Sequence, residues 1–555
     1  MAITTKVVDR AAQMFPKLTP AQIERVSAIG KRREVRAGEL LFDVGEQNTR
    51  FFVVLSGSID IVRPMGDTEQ PVVRHEPGNF TGEINMLSAR RSLVRGRAAT
   101  DGTLIAVDRD DLRALVQRDS ELSEILLRAF ILRRIQLMGE VGTDMVLLGS
   151  RHSGKTQEIR EFLSRNGQPF TYQDVETDPG VQTMLERFHI GVNEVPVIVC
   201  QNGHVLKNPS IEQLADGIGL SAPLDGDNLH DVIIVGAGPA GLAAAVYGAS
   251  EGLEVLVLES TAPGGQAGTS SRIENYLGFP TGISGQALSG RALTQAEKFG
   301  AEVAIGRTVV RLDCDSRPYR IYLSDGQVVR TRTIIIATGA RYRKLELPSL
   351  SRYEGAGVYY CATYLESQLC QGEEIAVVGG ANSAGQAAVF LSNSASRVHM
   401  LVRGPGLSES MSRYLIQRIE SIPNVVLRTR TQVETLEGDN GLERVSWKQV
   451  DSGERETRGV RNLFSMTGAD PNTEWLAGCL RLDEKKFVKT GADLLPDDLA
   501  AAHWPLPRRP YLMETSIPGV FCVGDARSSS VKRVASAVGE GSICIQLVHR
   551  ALGEL

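Results

Sequence analysis

Asp231-Val-Ile-Ile-Val-Gly236-Ala-Gly238-Pro239-Ala240-Gly241 is the stretch that decides the fold. Strand text runs without a gap into G-x-G-x-x-G, then into an alanine-rich helix. A second strand follows, Glu254-Val-Leu-Val-Leu, ending on Glu259. Gly236 allows the tight turn, Gly238 lets backbone approach a pyrophosphate, and Gly241 lets helix and strand pack closely. The helix N-terminus then offers free N–H groups and the positive end of its dipole. Glu259 lies 18 residues after Gly241, where a carboxylate meets ribose hydroxyls. This is a dinucleotide-binding βαβ unit. The uncharged run Val232 to Ser250 approaches membrane-span length, but four glycines and a proline in this order explain it better. No membrane span is expected.

A second unit of the same kind lies downstream. Glu374-Ile-Ala-Val-Val leads into Gly379-Gly380-Ala381-Asn382-Ser383-Ala384-Gly385 and a helix. The next strand, Arg397-Val-His-Met-Leu-Val, ends on Arg403 instead of an acid. An arginine there suits a ribose 2′-phosphate, and so NADP rather than NAD, with Arg413 as a second cation. NADH and a silent site remain open alternatives.

The remaining composition sets bounds. The chain has 555 residues, long enough for three to five domains. Lys+Arg total 61 and Asp+Glu 66, a net charge of −5, so no nucleic-acid partner is expected. Seven cysteines are too few and too scattered for a disulfide framework, and none stands as C-x-x-C. No apolar signal core opens the chain, so the expectation is cytoplasmic.

Further motifs surround the first fingerprint. They are Pro263-Gly264-Gly265-Gln266-Ala267, Ile273-Glu274-Asn275-Tyr276-Leu277-Gly278-Phe279-Pro280, Ile334-Ile-Ile-Ala337-Thr338-Gly339-Ala340 and Gly519-Val-Phe-Cys-Val-Gly524-Asp525-Ala526. This set resembles the low-molecular-weight thioredoxin reductases over about residues 230–555. The resemblance implies FAD on the first fingerprint, with Gln266 and Asn275 beside the flavin. Asp525 would bond the ribityl chain, and Ala337-Thr338-Gly339 would close the FAD domain. Arg533 and Val534, at the next helix start, join the implied FAD contacts. It implies NADPH on the second fingerprint, although the family has glycine where Ala381 stands. It also implies an inner domain that rotates on linkers near 340 and 465, and a homodimer is expected, with the long helix ending near Met138 as a contact.

One part of the pattern is missing. The family's C-x-x-C beside the flavin reads Cys361-Ala362-Thr363-Tyr364 here. Cys361 is the candidate catalytic thiol. Cys370 is nine residues on, about 13 Å away if the segment is helical, beyond disulfide reach.

Residues 144–220 resemble the glutaredoxin/thioredoxin fold, through their βαβ order and Glu194-Val195-Pro196-Val197 before a strand. A helix is expected near 180–188 and a turn at Asn202-Gly203. The dithiol position reads Ser150-Arg151-His152-Ser153, which implies a docking unit without dithiol chemistry. Gly149 to Thr156 also fits G-x-x-x-x-G-K-T, but the unit is small and lacks a second, Mg²⁺-holding strand.

Residues 1–140 resemble the cyclic nucleotide-binding domain, through Val44-Gly45-Glu46, Phe51-Phe-Val-Val-Leu-Ser-Gly-Ser and Gly82-Glu83. The resemblance implies that Glu83, after Gly82, takes the ribose and an arginine the cyclic phosphate; Arg91 or Ser92 stands at that spacing, with Arg90, Arg95 and Arg97 nearby. A retained β-roll used for dimerisation, or for another ligand, is the alternative. One long helix is expected from about Asp111 to Met138.

The expected architecture is multidomain α/β: a β-roll with helices (1–140), a thioredoxin-like unit (144–220), and two Rossmann-like domains. The FAD-binding domain takes 230–342 and 465–555, and the NAD(P)H-binding domain 343–464. The expected function is NADPH oxidation through FAD to an acceptor left open: an external disulfide, a quinone, oxygen or a redox protein partner. A non-catalytic redox sensor signalling to a partner is one alternative, and a thioredoxin-disulfide reductase using Cys361 and Cys370 is another.

Overall fold

The computed structural model describes residues 13–46, 49–65, 68–82, 86, 92, 94–139, 145–151, 153–178, 191, 194–200, 204–220, 224–270, 272–439, 441–476 and 478–554. The helix expected near 180–188, the Asn202-Gly203 turn, His152, Glu83 and Arg91 lie outside them.

Two antiparallel sheets form the N-terminal roll. One orders Lys31–Val35, Gly102–Val107 and Phe51–Ser56; the other Leu40–Phe42, Arg95–Ala98, Ile59–Met65 and Thr68–His75. Phe51, Phe80 and Phe130 fill the core, with Phe130 edge-on to the other two. The expected single helix is two, α1 (Arg109–Arg118) and α2 (Ser120–Gly139). Asp119 leaves helical geometry between them, and its carboxylate accepts from Leu122 N at 3.0 Å, which starts a new helix.

The middle unit comprises β1 (Met145–Gly149), α3 (Gly154–Arg165), β2 (Thr171–Asp174), β3 (Val197–Cys200), β4 (Val205–Lys207) and α4 (Ile211–Gly217). Its sheet order is β4-β3-β1-β2, with β1 parallel to β2 and β3 antiparallel to both neighbours. The Val195–Pro196 bond is cis. Leu147, Ile159, Phe162, Leu163, Ile198 and Leu214 form its core.

The first dinucleotide unit is β5 (Leu229–Val235), α5 (Pro239–Ser250) and β6 (Val255–Glu259). The domain continues with α6 (Gly285–Phe299), β7 (Glu302–Ile305), β8 (Val309–Asp313), β9 (Tyr319–Leu323) and β10 (Val328–Ile336). Its seven-stranded sheet runs β7-β6-β5-β10-β9-β8. β5, β6, β7 and β10 are parallel, and their apolar runs are buried on both faces.

The chain then leaves along β11 (Ala340–Arg343). The inner domain holds β12 (Val358–Tyr359), α7 (Tyr364–Leu369), β13 (Glu374–Val378), α8 (Asn382–Leu391), β14 (Arg397–Val402), α9 (Arg413–Glu420), β15 (Val425–Thr429) and β16 (Asn462–Ser465). Its parallel sheet runs β12-β16-β13-β14-β15. The chain returns along β17 (Thr467–Pro471), which pairs antiparallel with β11. β18 (Val520–Cys522) completes the first sheet beside β10, and α10 (Val534–Glu554) covers α5.

The cysteines are too few and too scattered for a disulfide framework, and one pair of them is nonetheless bonded. Cys314, just past β8, and Cys479, beyond β17, are bonded with Cα atoms 6.0 Å apart. The 165-residue separation hid the pair, because strand pairing and not sequence spacing brings the halves together. Among the described residues no helix is long and apolar enough to cross a membrane.

Candidate functional site

The loop between β5 and α5 is built by close packing. Gly236 has φ +105°, and a Cβ there would stand 2.4 Å from Ala337 O. A Cβ on Gly241 would lie 1.9 Å from Gly236 O. Gly238 differs: a Cβ on it would meet nothing within 4 Å. That open space lies at the N-terminus of α5, where Pro239 and Ala240 begin the helix. A pyrophosphate fits there.

Glu259 is buried and already engaged. It accepts from Ala237 N at 2.7 Å, Thr261 N at 2.9 Å and Ala262 N at 3.1 Å. A carboxylate offers about four acceptor sites, so about one remains for a ribose hydroxyl. A cavity of about 360 Å³ lies beside this turn, lined in part by Ser260, Thr261, Lys155 and Arg165.

Other expected FAD contacts fall into two groups. Gly264 and Gly265 both have positive φ, and Gln266 donates its side-chain amide to Ala340 O. Thr338 donates to Asn472 O at 2.9 Å, and Asn472 returns a bond to Thr338 O at 3.0 Å, which locks the Ala337-Thr338-Gly339 turn. Asn275 is exposed, next to Glu274, which pairs with Arg418 of the inner domain at 3.1 Å. Gly524, at φ +69°, donates its N–H to Glu540 at 2.7 Å.

Asp525 is half-buried. Its backbone oxygen accepts from Lys532, while its carboxylate bonds nothing among the described residues. Burial pushes its pKa up, and Lys532 opposes the shift. A half-buried carboxylate that bonds no described protein group is free to accept from a ligand hydroxyl. Arg533 and Val534 sit at the start of α10.

The second loop is less open. Gly379 has φ +142°, and a Cβ there would meet Met466 O at 2.5 Å. Ala381 takes the position at the start of α8 that Gly238 has at α5, with an ordinary φ of −98°. Its exposed methyl lies where Gly238 leaves free space. Gly380 O accepts from Ser410, and Asn382 Oδ1 accepts from Ser412 N at 2.8 Å. These bonds tie residues 410–412 to the loop and so place Arg413 beside it. Asn382 therefore works as a loop anchor. Ala384 is buried, and Ser383 hydrogen-bonds Tyr342. Arg403 and Arg413 are exposed and have no ion pair among the described residues.

Cys361 and Cys370 are both free thiols. Cys370 is fully buried in the inner-domain core beyond α7, so the two do not pair. Burial pushes the Cys361 thiol well up, and Glu366 and Glu161 add to this against Arg165. It is a protonated thiol at neutral pH, not a thiolate nucleophile. Tyr342 feels both Cys361 and Asp525, and burial raises its pKa. Sequence reasoning missed Glu161, Arg165, Tyr342 and Glu366, because no linear motif joins three separate units.

In the middle unit Ser153 caps α3, accepting from Thr156 N, and Lys155 pairs with Glu158 at 2.9 Å. In the N-terminal unit Gly82 has φ +109°, and its carbonyl accepts from the buried Arg133 of α2 at 2.9 Å. No group of three or more His, Cys, Asp or Glu fit to hold a metal occurs among the described residues.

Residues 230–541 match the family model described as pyridine nucleotide-disulphide oxidoreductase, and residues 32–119 match the cyclic nucleotide-binding domain. The chain belongs to the pyridine nucleotide-disulphide oxidoreductase family. Thioredoxin reductase of Bacillus subtilis (strain 168) is 31% identical over 329 residues, 59% of this chain and 96% of that relative. NADPH-dependent thioredoxin reductase 3 of Arabidopsis thaliana is 30% identical over 366 residues, 63% of this chain and 65% of that relative. Among solved structures, Lactococcus lactis thioredoxin reductase in its FR conformation superposes with a TM-score of 0.53 at 31% identity. It covers 59% of this chain and all of that one. The C-terminal part is a thioredoxin reductase-like oxidoreductase of a flavoprotein family, preceded by a cyclic nucleotide-binding domain.

Proposed function

We propose that this protein is an FAD-dependent NADPH oxidoreductase that works without the dithiol of its relatives. The observation that carries this is the open space at Gly238 together with the half-buried Asp525 carboxylate, which bonds nothing among the described residues. Gly236, Gly238, Gly241 and Glu259 would hold the FAD pyrophosphate and ribose, Asp525 the ribityl chain, and Gln266 and Asn275 the ring end. Bound there, FAD supplies a two-electron carrier that accepts hydride from NADPH. Arg403 and Arg413 attract the 2′-phosphate of NADPH, which NADH lacks. Glu366, whose pKa is raised by burial, holds a proton beside Cys361 at higher pH than an ordinary carboxylate does.

The β11–β17 pair is the hinge between the two domains in this reading. The middle unit is thioredoxin-like, supported by its strand order and by Ser150 and Ser153 in the dithiol positions. The N-terminal unit would bind a cyclic nucleotide and tune the rate. The protein would act as a cytoplasmic homodimer.

A sensor reading is favoured by one observation, the Ala381 methyl at the second loop. Steady-state NADPH oxidation with ferricyanide as artificial acceptor separates the two. Sustained turnover at many equivalents per FAD is expected. No turnover beyond the first equivalent would leave the sensor.

A further inference from the structure

The cavity of about 360 Å³ beside the Glu259 turn is built by two units of the chain. Ser260, Thr261 and Thr308 of the first dinucleotide-binding domain give part of its lining. Side chains of α3 and of the start of α4, in the middle unit, give the rest, Phe162 and Ile211 among them.

The order of groups in FAD says what belongs there. Pyrophosphate is followed by ribose, and ribose by adenine. The open space at Gly238 takes the pyrophosphate, and the spare acceptor of Glu259 takes a ribose hydroxyl. The base then lies past Glu259, on the side away from Gly238. Ser260 and Thr261 are the next residues along. Glu259 is level with Ile305 in the parallel pairing of β6 and β7, and Arg307 N donates to Glu259 O at 2.9 Å. Ser260 and Thr308 therefore leave the same end of the sheet, and the cavity opens between them and the middle unit. Ligand pockets run from about 300 to 1,000 Å³. This one is at the small end, the size for one part of a dinucleotide.

Its chemistry suits a base better than another phosphate. Lys155 pairs with Glu158 at 2.9 Å, and Arg165 with Glu161 at 3.3 Å. Glu212 accepts from Ser324 at 2.7 Å. The lining thus sets two cations against three carboxylates, with no positive excess for an anion. Lys155, the lysine of the G-x-x-x-x-G-K-T match, is one of these paired charges. A neutral ring with hydrogen-bonding edges fits beside Phe162 and Ile211.

The middle-unit side of the cavity is firmly seated. Arg165 donates to Gly265 O at 3.0 Å, and Asn166 donates to Thr261 O at 2.9 Å. Both acceptors lie between Glu259 and Gln266, in the segment that carries expected FAD contacts. Arg307, only 2% exposed, pairs with Asp216 of α4 at 2.6 Å. The apolar core of the middle unit runs on into Ile305 of β7. Shared apolar core holds units together far better than rim ion pairs do.

We infer that the middle unit forms the outer wall of the FAD adenine site, and so clamps the cofactor on the reductase-like part of the chain. This rests on the FAD reading above and extends it to residues outside that part. A unit with Ser150 and Ser153 in place of a dithiol then has work that needs no sulfur.

The first experiment uses the unaltered chain. Flavin-free protein is reloaded with an 8-azidoadenine analogue of FAD, irradiated, digested and mapped by peptide mass spectrometry. Label in peptides holding residues 155–165 or 210–212 is expected. Label confined to the two dinucleotide-binding domains overturns the wall and leaves the FAD reading standing. Failure of FAD itself to bind overturns both. The second experiment measures FAD affinity in Glu158→Trp. Glu158 is exposed on α3 and lines the cavity, so a tryptophan there fills space without entering the core. The FAD dissociation constant should rise about tenfold or more, with the melting temperature of flavin-free protein unchanged. An unchanged dissociation constant in a variant that melts normally overturns the wall. Where the variant melts lower, the photolabel decides.

Discussion

Gly241 leaves no room for a side chain, since its Cβ would fall 1.9 Å from a backbone oxygen that cannot swing aside. Gly241→Ala must push α5 away from the loop, at a cost of about 1–3 kcal/mol. The expected result is a lower melting temperature and loss of most bound FAD, read from the 450 nm absorbance per chain. Asp525 makes a different prediction. Its folded pKa is raised, so its contribution to stability is present below the ordinary carboxylate range and is lost as pH rises through the shifted value. At neutral pH the bare carboxylate is therefore a cost that a ligand hydroxyl offsets. Asp525→Asn should raise the melting temperature of FAD-stripped protein and weaken FAD binding on the order of tenfold or more. A purely structural aspartate would not move these two readouts in opposite directions. At the second loop, Ala381→Gly removes the methyl where Gly238 leaves free space. NADPH binding should tighten by roughly three- to tenfold, about 1 kcal/mol. An unchanged dissociation constant, by titration of flavin or protein fluorescence, would mean the methyl is not in the way.

At the scale of elements, the βαβ units were legible because periodicity, glycine spacing and strand-end residues all agree there. Gly236 occupies the tight turn its spacing implies, and Gly241, inside α5, packs against Gly236 O as expected. Less legible was what bonds across strands distant in sequence. The Cys314–Cys479 bond and the single-residue break at Asp119 carry no linear pattern. Nor does the network around His399 on β14, which is 1% exposed. Arg428 donates to its Nδ1 at 3.2 Å, so Nε2 carries the hydrogen and donates to Glu374 at 3.1 Å. Burial lowers the His399 pKa, helped by Arg428 and opposed by Glu374. The stabilising effect of this neutral ring is thus present above the ordinary histidine range and lost as pH falls. Inner-domain stability should drop between about pH 7 and 5, by at most about 1.4 kcal/mol per pH unit for one proton. A flat profile in thermal melts followed by Trp447 fluorescence would contradict the assignment.

At the scale of the whole molecule, the chain stacks two added units on a reductase core. The N-terminal unit reaches it through α1, where Arg113 donates to Glu297 O and Gln117 to Lys298 O on α6. α6 in turn packs its Ser289 against Gly264, so the contact ends at the loop that carries Gln266. The middle unit is fixed more firmly, through Arg307 and the shared core around Ile305. The inner domain is joined by β11 and β17 and by the exposed Glu274–Arg418 pair, worth about 1 kcal/mol or less. An anaerobic titration of the FAD-loaded protein with NADPH, followed at 450 nm, decides whether FAD works here without a dithiol. Full bleaching at about one equivalent is expected, because FAD is then the single centre that NADPH reduces. A second equivalent would contradict it by revealing a working dithiol, with Cys314–Cys479 the first pair to examine. No bleaching at all would contradict it by showing that the second loop does not deliver NADPH to FAD.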